Sequence, residues 1–145
     1  MSEHIYIPVQ LIPAGANAIF NTLRGCPRGL VLHRNGSGII TLRGGARYQV
    51  TFNGNIALPE GATVGPISVA ISLEGEGLQS SNAIVTPAAV DQYFNVTSTA
   101  IIDVPRCCCS HLGVKNTSVG ETTNPAINMQ NANLTITRIA LKEYR

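Results

Sequence analysis

At 145 residues the chain has room for one domain with its own core and none for a second, so 1–145 is read as a single unit. Charged residues are only 12% of the chain against 44% hydrophobic, and the net charge of +2 comes with no Lys/Arg stripe interleaved with aromatics, which argues against a nucleic-acid surface. No apolar run reaches 18 residues and Met1-Ser2-Glu3-His4 is polar, so neither a membrane-spanning helix nor a secretory leader is expected, and the chain is read as made in a bacterial cytoplasm.

Taken in order, the apolar stretches repeat with a period of two, the signature of half-buried strands. Ile5, Ile7, Val9 and Leu11 alternate with Tyr6, Pro8 and Gln10. Pro8 lacks a ladder donor, so residues 1–12 are expected to be an N-terminal edge strand or an attachment arm. After a turn at Pro13-Ala14-Gly15, short strands are expected over Ala18–Thr22, Gly29–Arg34 and Gly38–Leu42, with Asn35-Gly36 as a hairpin signal between the last two. Gly44-Gly45 reads as a bend before the clearest strand, in which Tyr48, Val50 and Phe52 alternate with Arg47, Gln49 and Thr51 until Asn53-Gly54-Asn55 closes it. Further strands are expected near Ser68–Leu73, Asn82–Thr86, Phe94–Val104, Ser110–Asn116 and Asn133–Ala140, with a helical turn at 87–92. Eight to ten strands at intervals of about ten residues predict an all-β, antiparallel β-sandwich of jelly-roll type.

Cys107-Cys108-Cys109, with Cys26 elsewhere, leave three readings open. The first and expected one is small apolar core and loop residues, with strand parity turning Cys108 and Ser110 inward and Cys107 and Cys109 outward. The others are a disulfide involving Cys26 and a metal shared between subunits through Cys107 or Cys109 with His111. A cysteine nucleophile paired with His111 lacks an acid placed to orient the imidazole, and Glu74 with Glu76 reads as solvating a hairpin tip. No catalytic residue, cofactor or metal site is expected. Four Asn-X-Ser/Thr sequons, at Asn35, Asn95, Asn116 and Asn133, fit an Asn/Thr-rich surface.

The order of segments resembles a known family. Pro13-Ala14-Gly15-Ala16-Asn17-Ala18-Ile19-Phe20 and Gly45-Ala46-Arg47-Tyr48-Gln49-Val50-Thr51-Phe52 resemble strands of the bacterial relatives of the complement globular-head and tumour-necrosis-factor-like (TNF-like) jelly roll. Asn131-Ala132-Asn133-Leu134-Thr135-Ile136-Thr137-Arg138-Ile139-Ala140 is similar to the last strand of the domains that end bacterial collagen-like and spore-surface proteins. That resemblance implies a compact homotrimer whose threefold axis is lined by one sheet, with Gln49, Thr51, Tyr93, Thr135 and Thr137 at the trimer interface and Tyr48, Val50, Phe52, Leu134 and Ile136 inside the sandwich. The collagen-like stalk of most bacterial versions is absent from this sequence.

The expected function is therefore a non-enzymatic structural protein, a trimeric phage virion component such as a capsid decoration or head-fibre protein on the virion surface. Its partners would be the major capsid protein or another virion protein, with no nucleic acid and no membrane. The alternative is a trimeric binding module on a bacterial cell or spore surface that recognises glycan or a receptor. Attachment is expected through Ile5, Ile7, Val9 and Leu11, or through Arg24, Arg28, Arg34 and Arg43, which belong to a run holding five of the ten basic residues between positions 24 and 47.

Overall fold

Alternation along the chain becomes alternation across two facing sheets. In the strand Ala46–Ala57, the side chains of Tyr48, Val50 and Phe52 are buried while Arg47 and Gln49 are exposed, as a sheet with one covered face requires. The computed structural model describes residues 2–20, 22–25, 31–33, 38–120 and 123–141. Within them lie strands β1 (Ser2–Ile12), β2 (Thr22–Gly25), β3 (Val31–His33), β4 (Ile40–Arg43), β5 (Ala46–Ala57), β6 (Ile67–Leu73), β7 (Glu76–Gly77), β8 (Ala83–Val85), β9 (Phe94–Val104), β10 (Cys109–Asn116) and β11 (Ile127–Leu141), and one short 3-10 turn, Gln79–Ser81.

The first sheet runs β2-β1-β11-β5-β9 and the second β3-β4-β10-β6-β7, with β8 also on β6; every pairing is antiparallel. This is the jelly-roll sandwich that the spacing of apolar residues predicts. Tyr48, Val50, Phe52, Leu134 and Ile136 of the first sheet meet Ile40, Leu42, Ile71, Leu112 and Val114 of the second, all buried in one core. Burying each such side chain fully is worth about 1.5–3 kcal/mol. Tyr48 keeps its hydroxyl satisfied by donating to the Arg43 carbonyl at 2.7 Å, and burial raises its pKa above the ordinary tyrosine value. Asn116 ties three segments together: its Nδ2 donates to the carbonyls of Ile12 and Pro125, and its Oδ1 accepts from the Ser118 N–H.

Two chain crossings between the sheets lie side by side, because β4 pairs with β10 while β5 pairs with β9. The Gly44-Gly45 bend carries β4 into β5, and Gly45 donates to the Val104 carbonyl at the end of β9. A Cβ on Gly44 would fall against the carbonyl oxygens of Pro105 and Cys108, so the backbones meet with no room for a side chain.

Several expectations need correction. β1 is not simply an edge or an arm: over Glu3–Tyr6 it lies between β2 and β11, and it stays paired with β11 to Ile12. Its ladder passes from Ile7↔Ala132 to Val9↔Gln130 with no pair at Pro8, so the missing donor falls where β11 itself is irregular. Asn53-Gly54-Asn55 does not end β5, which continues to Ala57. Opposite it, β11 has an extra residue between Gln130 and Asn133, and a Cβ on Gly54 would press on Phe52 and Ala132. The glycine is there for close packing beneath a bulge, not for a turn. The strand expected at Ala18 starts instead at Thr22, while residues 15–18 hydrogen-bond to Val114 and Asn116 of β10. Residues 87–92 form no helix, the helical turn falling at Gln79–Ser81. The Asn35-Gly36 step lies outside the described residues, but β3 and β4 on either side of it pair antiparallel.

Candidate functional site

The outer face of the first sheet carries a continuous polar surface across β11, β5 and β9. From β5 it presents Arg47, Gln49, Thr51, Asn53 and Asn55; from β9, Asn95, Thr97, Thr99, Ile101 and Asp103. β11 adds Asn133, Thr135 and Thr137, since these stand opposite Asn53, Thr51 and Gln49. The side chains form a cross-strand network. Thr51 and Thr99 hydroxyls lie 3.3 Å apart, Asn95 Nδ2 donates to Asn53 Oδ1 and Asn55 Oδ1 at 3.0 Å each, and the Thr97 hydroxyl donates to Asn53 Oδ1 at 3.0 Å.

On β5, β9 and β11 the described side chains of this face are polar and nearly free of charge. Arg47 pairs with Asp103 at 2.6 Å at the end of these strands, where the carboxylate raises the Arg47 pKa by hydrogen bond and charge. Exposed aliphatic groups accompany the network: Ile101 is 56% exposed and Leu11 59%. Covering such a surface desolvates no isolated ion, and many of its polar groups already satisfy one another, so the penalty that opposes burial of charged faces is avoided. The outer face of the second sheet differs, carrying Arg43, Cys109, His111 and the Lys115 ammonium, which donates to the Gly75 carbonyl.

Four of the five expected interface residues are brought together. Thr135 pairs with Thr51 and Thr137 with Gln49 on this face, whereas Tyr93 lies just ahead of β9, 38% exposed. The larger part of the network, Asn53, Asn55, Asn95, Thr97 and Thr99, was not among the expected residues. The signal was present in the strict alternation Asn95, Thr97, Thr99, Ile101, Asp103 along Phe94–Val104.

Where they are described, the expected attachment residues fall on β1, β2 and β4. Ile5 and Ile7 stand in register with buried Leu134 and Ala132, and Val9 and Leu11 with half-buried Gln130 and Asn128. Arg24 lies in β2, Arg43 is exposed at the end of β4, and Arg28 and Arg34 fall outside the described residues.

The cysteine reading is corrected at Cys108. Cys107, Cys108 and Cys109 are all exposed and free, including Cys108, for which strand parity predicted an inward side chain. The parity argument fails because β10 begins only at Cys109, and 105–108 form a turn closed by the Cys108 N–H on the Pro105 carbonyl. Cys26 lies outside the described residues, and those described contain no group of three or more His, Cys, Asp or Glu able to hold a metal. His111 does have an acid beside it. Glu74 Oε2 lies 3.1 Å from His111 Nδ1 and Glu74 Oε1 accepts the His111 N–H at 2.8 Å. The backbone hydrogen bond, then the side-chain one, hold the Glu74 carboxyl below its ordinary pKa. Both side chains are about half exposed, and the pair fastens the β6–β7 turn to β10.

No protein-family model matches the chain, and no curated protein matches its sequence. Solved structures do match its fold. The Eiger TNF structure from S. frugiperda superposes with a TM-score of 0.68 at 13% identity, covering 99% of this chain and 95% of that one. The globular domain of zebrafish complement 1qA gives 0.58 at 9% identity, covering 94% and 100%. The chain is thus an all-β, antiparallel jelly roll of the fold shared by TNF and complement globular-head domains. Identity this low carries the fold and nothing further. Among the described residues, no helix is long and apolar enough to cross a membrane.

Proposed function

We propose that the protein is a non-enzymatic structural or binding module that assembles as a homotrimer through the outer face of the β2-β1-β11-β5-β9 sheet. The observation that carries this is the Thr/Asn network of β5 and β9, flanked by exposed Ile101 and holding charge only in the Arg47–Asp103 pair at its end. A surface of this kind loses little on being covered. The threefold order is drawn from the family resemblance. The finer reading is that the trimer sits on a phage virion as a capsid decoration or head-fibre protein, contacting the major capsid protein or another virion protein. Its support is the likeness of residues 13–20, 45–52 and 131–140 to the bacterial versions of this jelly roll.

Two experiments test these readings separately. Thr97→Lys puts three ammonium groups into the assembled face and is expected to give monomers, whereas Thr41→Lys, on the opposite sheet beside His111, leaves the trimer intact. Equal behaviour of the two variants contradicts the choice of face. For location, particles purified through a density gradient are expected to retain the chain in fixed ratio to the capsid protein; its recovery on a cell or spore surface instead contradicts the virion reading.

A further inference from the structure

Three adjacent thiols at the tip of the β9–β10 crossing belong to neither the core nor the assembly face. Cys107 adopts φ +64°, the left-handed conformation for which glycine or asparagine is the ordinary choice. A side-chain-bearing residue there is strained. Nor can neighbouring cysteines of this tip quench one another without strain. Adjacent Cα atoms are ~3.8 Å apart across a trans peptide, short of the ~4.4–6.8 Å that an unstrained disulfide spans.

Arginines gather about the tip. Arg106 precedes Cys107 in the turn, Arg43 is the register partner of Cys109, and Arg138 stands opposite Tyr48, whose hydroxyl bonds the Arg43 carbonyl. Of the carboxylates on these strands and turns, Asp103 is neutralised by Arg47 and Glu74 hydrogen-bonds His111. Two tips carrying these arginines repel each other, and small anions are drawn in. We propose that the Cys107–Cys109 turn is a thiol–disulfide exchange site that takes anionic low-molecular-weight disulfides. A cysteine thiolate attacks one sulfur of the incoming disulfide; the new S–S bond joins the cysteine to one half, the old S–S bond breaks, and the departing thiolate takes up the proton the cysteine gave to solvent. The incoming disulfide is the only oxidant required.

The test uses the full chain with three probes: oxidised glutathione (anionic), hydroxyethyl disulfide (neutral) and cystamine (cationic). Each rate is divided by that of the same probe with N-acetylcysteine amide, which removes intrinsic reactivity. At about 10 mM ionic strength the normalised rate with oxidised glutathione is expected to exceed that with cystamine on the order of tenfold, with the neutral probe between, and the ratio to fall toward one near 1 M salt. Peptide mapping should place the adduct on 107–109, and Arg43→Gln with Arg106→Gln should remove the preference while leaving the neutral probe's rate unchanged. Equal normalised rates, a preference for cystamine, an adduct confined to Cys26, or a preference that survives the double variant each overturns the proposal.

Discussion

Gly44 and Gly45 are neighbours in one bend, yet they answer to different constraints, and alanine at each position separates them. At Gly44 the added methyl would lie inside contact distance of the Pro105 and Cys108 carbonyl oxygens and 3.0 Å from the Cys108 N, all backbone atoms held by the β9–β10 turn. Accommodation forces the two crossings apart. Overpacking of this sort costs about 1–3 kcal/mol, and loss of the adjacent Gly45 N–H to Val104 carbonyl bond, 2.8 Å long, adds about 1 kcal/mol. Gly44→Ala is therefore expected to lose about 2–4 kcal/mol. At Gly45 the methyl meets only Arg106 Cγ, at 4.0 Å, so the cost is that of φ +82° alone, about 1–2 kcal/mol. Urea unfolding of both variants at one protein concentration, to hold assembly linkage constant, gives the comparison. A Gly44→Ala loss no larger than that of Gly45→Ala refutes the argument that the two crossings are packed backbone to backbone.

Other consequences can be measured directly. Phe52→Ala, at a side chain 1% exposed between the sheets, is expected to cost about 3–5 kcal/mol in the same urea assay. Cys107→Gly relieves the left-handed strain and is expected to be neutral to about 1 kcal/mol stabilising in thermal unfolding, whereas a Cys107→Val change destabilises. The Glu74 carboxyl, followed by NMR, should titrate below the ordinary glutamate range. Because its folded pKa is depressed, its contribution to stability is full above the unfolded value and is lost as pH falls through the folded one. His111→Ala should raise the Glu74 midpoint only in part, since the backbone donor at 111 remains.

How far the sequence reached depended on whether a residue's environment was local. Tyr48, Val50 and Phe52 are buried as their alternation requires, and Leu134 and Ile136 likewise, because strand parity needs only near neighbours. Asn53-Gly54-Asn55 has the composition of a turn, but its glycine answers to a bulge in β11, about eighty residues along the chain. The Glu74–His111 pair forms only when the β6–β7 turn is laid against β10, a separation of 37 residues. For Cys108 the periodicity argument failed because parity was carried back from Leu112 and Val114 past Cys109, where β10 begins. The Thr/Asn face sits between these cases. Its residues on β5, β9 and β11 each follow the period of two, but nothing in the sequence says which strands adjoin, and only the sheet order makes one surface of them.

Multi-angle light scattering on the purified chain at micromolar concentration bears most directly on assembly through this face. The account predicts a single species of three times the 15.3 kDa chain mass, about 46 kDa, that keeps this mass in about 1 M salt because its interface holds few charges. A species of one chain mass under those conditions contradicts it.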